Sequence, residues 1–478
     1  MIGSNVPVSN HSTSSELVSI NRLRIAMPKG RLLTSPAQLA GYESDALGYK
    51  HYPPAAVAIP ADASELIALI RLLKGEAVPF TVRGAGTSLS GGPVAAQGGI
   101  VIHVSRLRSI EHIDRRNLFA VVECGVVLNQ LDEALQPHGL YYPPDPSSGT
   151  VCTLAGNVAT NAGGVHCFRY GVTSNYVLGA EALLLDGTVV RFGGPAGGRG
   201  DWRDDWKRLW IGSEGTLGVF TRFWLRLIPR PEKVWTFRAT YRSVNEASEA
   251  IARLATHPAC PAAIELMDAR SVAMVENSPM AVGLPRDRLM VLAEIDGPAA
   301  LVDRRVQSVA DTMRTCGSDD VAYSDQSEVR AGLWKARKAQ GGLLGQISPD
   351  FVVQDAVIPK VHLAETLRFI CDESDRRGIT VATVLHAGDG NLHPNFLFDA
   401  RRPEQVAAVE EIGKNLMRRV GEVGGTLSGE HGIGNDKAPY MAKHLGPLGC
   451  RMQLAIPRVF NPRHQLNPLK VFPERRFA

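Results

Sequence analysis

Apolar positions recur along this chain with two different periods, and the periods map its elements. Leu66, Ile67, Leu69, Ile70, Leu72 and Leu73 fall at helical spacing behind Asp62 or Ser64 as N-cap, with Glu65 in the first turn and Gly75 as the stop. Residues 78–82 (VPFTV), 99–104 and 119–124 predict short strands, and 127–135 a helix. Residues 178–185 and 188–192 flank Asp186-Gly187, which predicts a hairpin with a type I′ turn. Pro229-Arg230-Pro231 reads as a linker. Beyond it, 234–241 and 289–295 predict strands, and 244–255 and 301–316 helices. Near the end, 381–385 predicts a strand reaching His386, 392–398 a second, and 403–423 a helix. A sheet buries a face by packing helices on it, so the expected class is α+β.

Three glycine-rich segments lie between the early strands: 83–92 (RGAGTSLSGG), 142–164 (containing PPDPSSGT and AGNVATNAGG) and 210–219 (WIGSEGTLGV). Glycines let backbone N–H groups converge on an anion without Cβ obstruction. The first segment fails the dinucleotide-binding fingerprint, because Leu89 stands where its last glycine should and no helix follows. The second predicts a long loop of small and amide side chains, suited to wrapping a planar ligand.

Composition narrows the classes. With 44% apolar and 21% charged residues, the 478-residue chain reads as globular with two or three domains. Its 52 Lys+Arg and 48 Asp+Glu are interspersed, which argues against a polybasic nucleic-acid arm. Seven scattered cysteines with no CxxC argue against a disulfide framework, a zinc ribbon and an iron–sulfur cluster, and fit a reducing compartment. No signal peptide or membrane span is expected.

Two further stretches carry chemistry. In 384–395 (VLHAGDGNLHPN), His386 and His393 flank a tight turn; in 428–434 (SGEHGIG), Glu430 and His431 sit between glycines. His386, His393 and Glu430 make a three-ligand divalent site with an open position, leaving His431 as a base. Asp389 reads as shaping the turn. Among the cations of 332–338, Arg337 is the candidate to turn inward and bind a carboxylate in bidentate fashion.

The three glycine-rich segments, in this order, resemble the FAD-binding domain of the vanillyl-alcohol oxidase / p-cresol methylhydroxylase superfamily. The resemblance implies a two-part FAD-binding domain of that type over 48–231, after an N-terminal arm (1–47). It implies that Gly84, Gly86, Thr87 and Ser88 hold phosphates. Asp145, Thr150, Gly156, Asn157, Asn161, Gly163, Gly164, Gly215 and Val219 would line the flavin. The first segment has no histidine, so FAD is expected to be non-covalent; His166 reads as structural.

Residues 232–457 resemble the substrate or cap domain of FAD-linked 2-hydroxyacid dehydrogenases. HAGDGNLHP, SGEHGIG and LWKARK…ISPDFVVQDAVIP are most similar to the glycolate oxidase D-subunit group. This implies a divalent ion, often zinc, on His386, His393 and Glu430, with His431 as base, Arg337 as carboxylate clamp and Asn395 as substrate contact. The lysine that hydroxyglutarate enzymes use for a second carboxylate falls at Val353, which argues against a dicarboxylate. A closing segment, 458–478, is expected to return to the flavin with Asn467, although the family's usual glycine is Leu469. The implied reaction is oxidation of glycolate, with D-lactate and D-2-hydroxyglutarate as alternatives. The other class is a non-catalytic flavin subunit. A second flavin subunit and an iron–sulfur subunit are the implied partners. The implied location is cytoplasmic, or peripheral at the inner membrane through those partners.

Overall fold

Asp62 is the cap that the helix Ala63–Gly75 uses: its carboxylate accepts the Glu65 N–H at 3.0 Å, and Leu66, Leu69, Ile70 and Leu73 are buried. The computed structural model describes residues 20–25, 27–28, 30–194, 205–338 and 340–472; most of the expected arm, 1–19, lies outside them. That helix packs on a four-stranded sheet ordered Leu32–Leu33, Ala56–Ala58, Ile100–His103, Phe80–Arg83, in which the last three strands are parallel. A five-stranded antiparallel sheet follows, ordered Ile110–Asp114, Phe119–Glu123, Val219–Arg226, Val177–Leu183, Val189–Gly193. Phe80, Ile102, Val122 and Phe223 join both sheets in one core, forming a first lobe.

The second lobe is an antiparallel sheet. Its order is Val321–Ser324, Lys233–Tyr241, Leu289–Gly297, Ala263–Met267, Thr380–His386, Asn391–Phe398, Asp350–Val353, with Ala356–Val357 also paired to Asn391–Phe398. Side chains alternate across it. Leu289, Val291, Ala293 and Ile295 join the layer holding helices Val244–Ala255, Val306–Thr315, Leu363–Asp375 and Pro403–Glu422. Met290, Leu292 and Val384 join the opposite layer, with helices Ala269–Glu276 and Ser327–Lys338. By the same parity, Glu265, His386, His393 and Asn395 fall on this second face.

Four local expectations change. The loop 142–164 contains a helix, Leu154–Thr160, closed by Asn161 in the left-handed region at φ +52. Its small residues hid the helical period. The hairpin turn is not type I′. The Gly187 N–H donates to Leu184, the Asp186 carboxylate accepts from Thr188, and only Gly187 is left-handed (φ +78). This is a three-residue loop ending in a glycine bulge. The stretch 301–316 is two helices, Ala299–Asp303 and Val306–Thr315, interrupted at Arg304-Arg305. Finally, a helix that the spacing did not predict, Ala438–Phe460, kinks at Gly446 (φ +70); Pro447 and Pro457 masked its period.

After this helix the chain returns to the first lobe. Leu466 bridges Phe80 at the edge of the parallel sheet, and Asn467 accepts from the Val82 N–H and donates to the Glu214 carbonyl. Leu469 has φ +63, in the left-handed region that favours glycine.

Candidate active site

The turn between strands Thr380–His386 and Asn391–Phe398 pairs His386 with Asn391 and Val384 with His393. Both imidazoles therefore emerge from the same sheet face, 5.0 Å apart between centroids. Gly390 closes the turn at φ +79, where a Cβ would stand 2.2 Å from the Ile358 carbonyl. Glu430 reaches in from the loop Ser428–Gly434: its Oε1 lies 3.2 Å from His386 Nε2 and 3.1 Å from His393 Nε2. His431 Nε2 stands 3.7 Å from the same oxygen, and its ring stacks on His393 at 5.0 Å.

The three donor atoms of His386, His393 and Glu430 lie within 4.8 Å of one another. His393 is buried; its Nδ1 has no hydrogen-bond partner, and its Nε2 meets only the Glu430 carboxylate. Glu265, fully buried, accepts from His386 Nδ1 at 2.6 Å, which leaves Nε2 facing Glu430. A carboxylate behind a ligating imidazole fixes its tautomer and orientation. The set therefore fits a divalent cation with an open position. A second grouping, Asp355, His393 and His431, fits less well, because Asp355 is already committed. It accepts from the Ser428 hydroxyl (2.6 Å), from the N–H groups of Gly429 and His431, and from Lys437 (3.3 Å).

Charge follows these contacts. Burial opposes the Glu430 carboxylate, but His386 and His393 outweigh it and hold its pKa well below the usual range. Burial also opposes charge on His386, yet Glu265 and Glu430 lift it well above its ordinary value. Burial brings His431 down to about 4, so it is neutral at neutral pH. Arg337 is buried, with Nη2 2.7 Å from Glu265 Oε2 and Nε without a partner.

One cavity of about 470 Å³ joins this cluster to the glycine-rich segments. Gly84, Gly86, Thr87, Ser88, Gly156, Asn157, Gly215, Val219 and Asn467 line it, as do His386, His393, Asn395, Glu430, His431 and Arg337. The close approach needs glycine: at Gly215 (φ +69) a Cβ would stand 2.4 Å from Asn467 Nδ2, and at Gly84 it would stand 2.3 Å from Thr153 Oγ1. Asn395 donates to the carbonyls of Ala382 and His393, which fixes its side chain in the sheet.

Five expected flavin-lining residues do not line this cavity. Thr150 is exposed. Asn161 accepts from the Ser174 N–H at 2.8 Å. Gly163 packs against Glu430, and Gly164 against Asp145. Asp145 binds His166 at 2.8 Å, and His166 binds Glu294 of the second lobe at 2.9 Å. Glu294 also accepts from Trp334 Nε1 at 2.8 Å, on the helix that carries Arg337. His166 is thus an inter-lobe strut.

Sequence reasoning missed Glu265, Asp355, Glu214 and Lys437. Glu265 had a signal, a charge inside the apolar run 262–267. The other three had none; their partners are brought to them only by folding.

Comparison with known proteins follows the same division. The family model described as "FAD linked oxidases, C-terminal domain" matches residues 230–471, and "FAD binding domain" matches 54–193. Glycolate oxidase subunit GlcD of Escherichia coli K12 is 35% identical over 94% of this chain and 90% of its own length. GlcD of Bacillus subtilis is 33% identical over 90% and 92%. A D-lactate dehydrogenase of Archaeoglobus fulgidus is 31% identical over 90% and 96%. Among solved structures, p-cresol methylhydroxylase with substrate bound superposes with TM-score 0.79 at 15% identity, covering 97% of this chain and 98% of that one. The 4-ethylphenol oxidase of Gulosibacter chungangensis gives 0.78 at 16%, covering 98% and 99%. A glycine-lined cavity shared by two lobes, and sequence matches that span both, make this chain a member of the FAD-linked oxidases, an FAD-dependent oxidoreductase on the p-cresol methylhydroxylase-type fold.

Proposed function

We propose that the chain oxidises a short 2-hydroxy acid to the 2-oxo acid, with glycolate as first substrate and D-lactate second. The observation that carries this reading is the single cavity lined both by the glycine cradle and by His386, His393, Glu430, His431 and Arg337. Gly84, Gly86, Thr87 and Ser88 would hold the FAD phosphates, and Gly156, Asn157, Gly215, Val219 and Asn467 the rest of the cofactor, without a covalent bond. FAD supplies a hydride acceptor there. A divalent ion on His386, His393 and Glu430, zinc by resemblance, would lower the pKa of a bound hydroxyl. Asp145, Thr150, Asn161, Gly163 and Gly164, which the resemblance also assigns to the flavin, do not line this cavity.

The chain's own groups do the rest. Arg337 meets the substrate carboxylate with the part of its guanidinium that Glu265 does not use. His431, neutral and buried, takes the hydroxyl proton. Asn395 holds the strand from which His393 projects and contacts the substrate through its remaining carbonyl. Val353 lines the cavity and offers no cation to a second carboxylate at that position. That favours glycolate or D-lactate over D-2-hydroxyglutarate. Glycolate and D-lactate differ by one methyl, worth about 1–3 kcal/mol in a pocket.

In this reading 48–231 is the FAD-binding domain, 232–457 the cap, and 458–478 the segment that closes on the flavin. The relatives named as subunits support partner subunits; by resemblance these would be a second flavin subunit and an iron–sulfur subunit. No described helix is long and apolar enough to cross a membrane.

The test is anaerobic bleaching of the flavin absorption by glycolate, D-lactate, L-lactate and D-2-hydroxyglutarate, with and without a chelator. Fast bleaching by glycolate or D-lactate that the chelator abolishes is the expected result. Bleaching by D-2-hydroxyglutarate alone, or bleaching indifferent to the chelator, would overturn the substrate or the metal assignment respectively.

A further inference from the structure

Gln340 opens the helix Gln340–Ile347, three positions after Arg337. Both side chains are buried, Gln340 to 2% exposure, and both line the cavity. The reaction described above gives Arg337 a role and Gln340 none. The Gln340 amide Nε2 donates to the Ser271 hydroxyl at 2.8 Å. That hydroxyl spends its one hydrogen on the Thr383 carbonyl, at 3.1 Å. Ser271 can therefore only accept from Gln340, which turns the amide nitrogen toward Ser271 and leaves Oε1 as the remaining polar atom. Oε1 is buried and has no hydrogen-bond partner. A buried carbonyl without a donor costs free energy that a donor on a bound ligand would recover.

The surroundings select that donor. Ser271 and Thr383 tie Gln340 to the strand Thr380–His386, which ends at the first of the clustered imidazoles. With a substrate's carboxylate on Arg337 and its 2-hydroxyl at His386, His393 and Glu430, the group left to meet Gln340 is the one on C3. There is room for it: Gly341 also lines the cavity, and a Cβ there would meet no atom within 4 Å. A methyl would leave Oε1 unpaired, and a carboxylate would set a second acceptor against it. An ammonium would face Arg337 and Lys338, two cations that line the same cavity. A hydroxyl satisfies Oε1 without adding charge.

We propose that Gln340 is a specificity-determining residue, and that among three-carbon acids the chain prefers a 2-hydroxy acid with a second hydroxyl on C3 to D-lactate. The inference rests on the 2-hydroxy-acid reading above and refines its substrate. The step itself is unchanged. The C2–H bond breaks with its electron pair passing to the flavin, the C2 hydroxyl proton passes to His431, and the C3 hydroxyl stays intact, giving a 3-hydroxy-2-oxo acid. A site that hydrogen-bonds a substrate hydroxyl discriminates against the analogue lacking it, because its own polar group is then left buried and unpaired.

The experiment compares D-glycerate with D-lactate, which differ only by that hydroxyl, as donors to a small dye through the flavin-loaded chain. The wild type should show a kcat/KM at least tenfold higher for D-glycerate. In Gln340→Met, which keeps the length and removes the acceptor, the ratio of the two should fall at least tenfold. Gln340→Glu, which keeps an acceptor oxygen, should still favour D-glycerate. Binding without turnover is read separately, from the change in the oxidised flavin spectrum on titration with 3-hydroxypyruvate and with pyruvate. The first should bind at least fivefold more tightly to the wild type, and Gln340→Met should lose that difference. A wild type that prefers D-lactate overturns the proposal, as does a ratio that Gln340→Met leaves within twofold, or one that Gln340→Glu loses as fully as Gln340→Met. In each of these cases reduction by glycolate or D-lactate leaves the 2-hydroxy-acid reading standing. If no 2-hydroxy acid reduces the dye while the preference for 3-hydroxypyruvate holds and requires Gln340, the oxidation reading fails and the hydroxyl subsite stands. Loss of both overturns both.

Discussion

In the proposed mechanism His431 is the group whose removal separates chemistry from binding. It ligates nothing in the His386–His393–Glu430 set, yet it stacks on His393 within the same cavity. His431→Asn should lower kcat by about 10²–10⁴-fold while flavin absorption and metal content stay unchanged; His386→Ala should lose the metal as well. A second prediction concerns acid stability. Burial, reinforced by Arg83, lowers the His103 pKa to about 4, and its Nδ1 meets the Tyr42 hydroxyl at 3.2 Å. The unfolded imidazole titrates near ~6.5 and the folded one lower, so the unfolded state binds more protons between those values. Stability is therefore full above ~6.5 and falls as pH drops toward the folded value, by at most ~3 kcal/mol. His103→Phe, which keeps the ring, should flatten that slope in denaturant titrations at pH 4.5 and 7. At this scale the sequence was most legible where chemistry is local. His386, His393, Glu430 and His431 stand beside glycine turns that advertise them. Asp355 and Glu214 act on backbone N–H groups 74 or more positions away, which no spacing rule registers.

Among the elements, the loop Ser428–Gly434 is held from both ends by buried carboxylates. Asp355 of the second lobe takes the N–H groups of Gly429 and His431, and Glu214 of the first takes those of Ile433 (2.6 Å) and Gly434 (2.7 Å). Successive N–H groups around a carboxylate form an anion nest. Glu214 adopts φ +52 to reach them, and Gly432 admits it, since a Cβ there would stand 2.9 Å from its Oε1. Asp355→Ala should cost about 3–5 kcal/mol in chemical denaturation, because Lys437 would be left buried with a backbone carbonyl but no counter-charge. A loss under 1 kcal/mol would refute the anchoring role. Strong local periods made Ala63–Gly75, Val244–Ala255 and Pro403–Glu422 predictable almost to the residue. Leu154–Thr160 and Ala438–Phe460 were not, because small residues, glycines and prolines carry no helical stripe and tertiary packing decides their shape.

Across the whole molecule the two lobes share more than a linker. His166 joins Asp145 to Glu294, Arg169 and Tyr170 bind Asp296, and one helix buries side chains in both cores. Unfolding should therefore be a single transition. FAD at a hundredfold its Kd should raise stability by about 2.7 kcal/mol for both lobes together. Calorimetry that resolves two steps, with only one moved by FAD, would contradict this. The α+β class and the order of the lobes were readable from segment order; the strut was not, because its members are separated by 21 and 128 positions.

The return of the chain to its first sheet also orders events in time. The Val82 N–H is satisfied by Asn467, made 385 positions later, and the Phe80 N–H by Gln465. A ribosome that has delivered every glycine of the cradle has still not delivered the wall behind it. The nascent first lobe must wait, with its sheet edge open and exposed to chaperones or mispairing. The cofactor enters a finished site only after nearly the whole polypeptide has been synthesised.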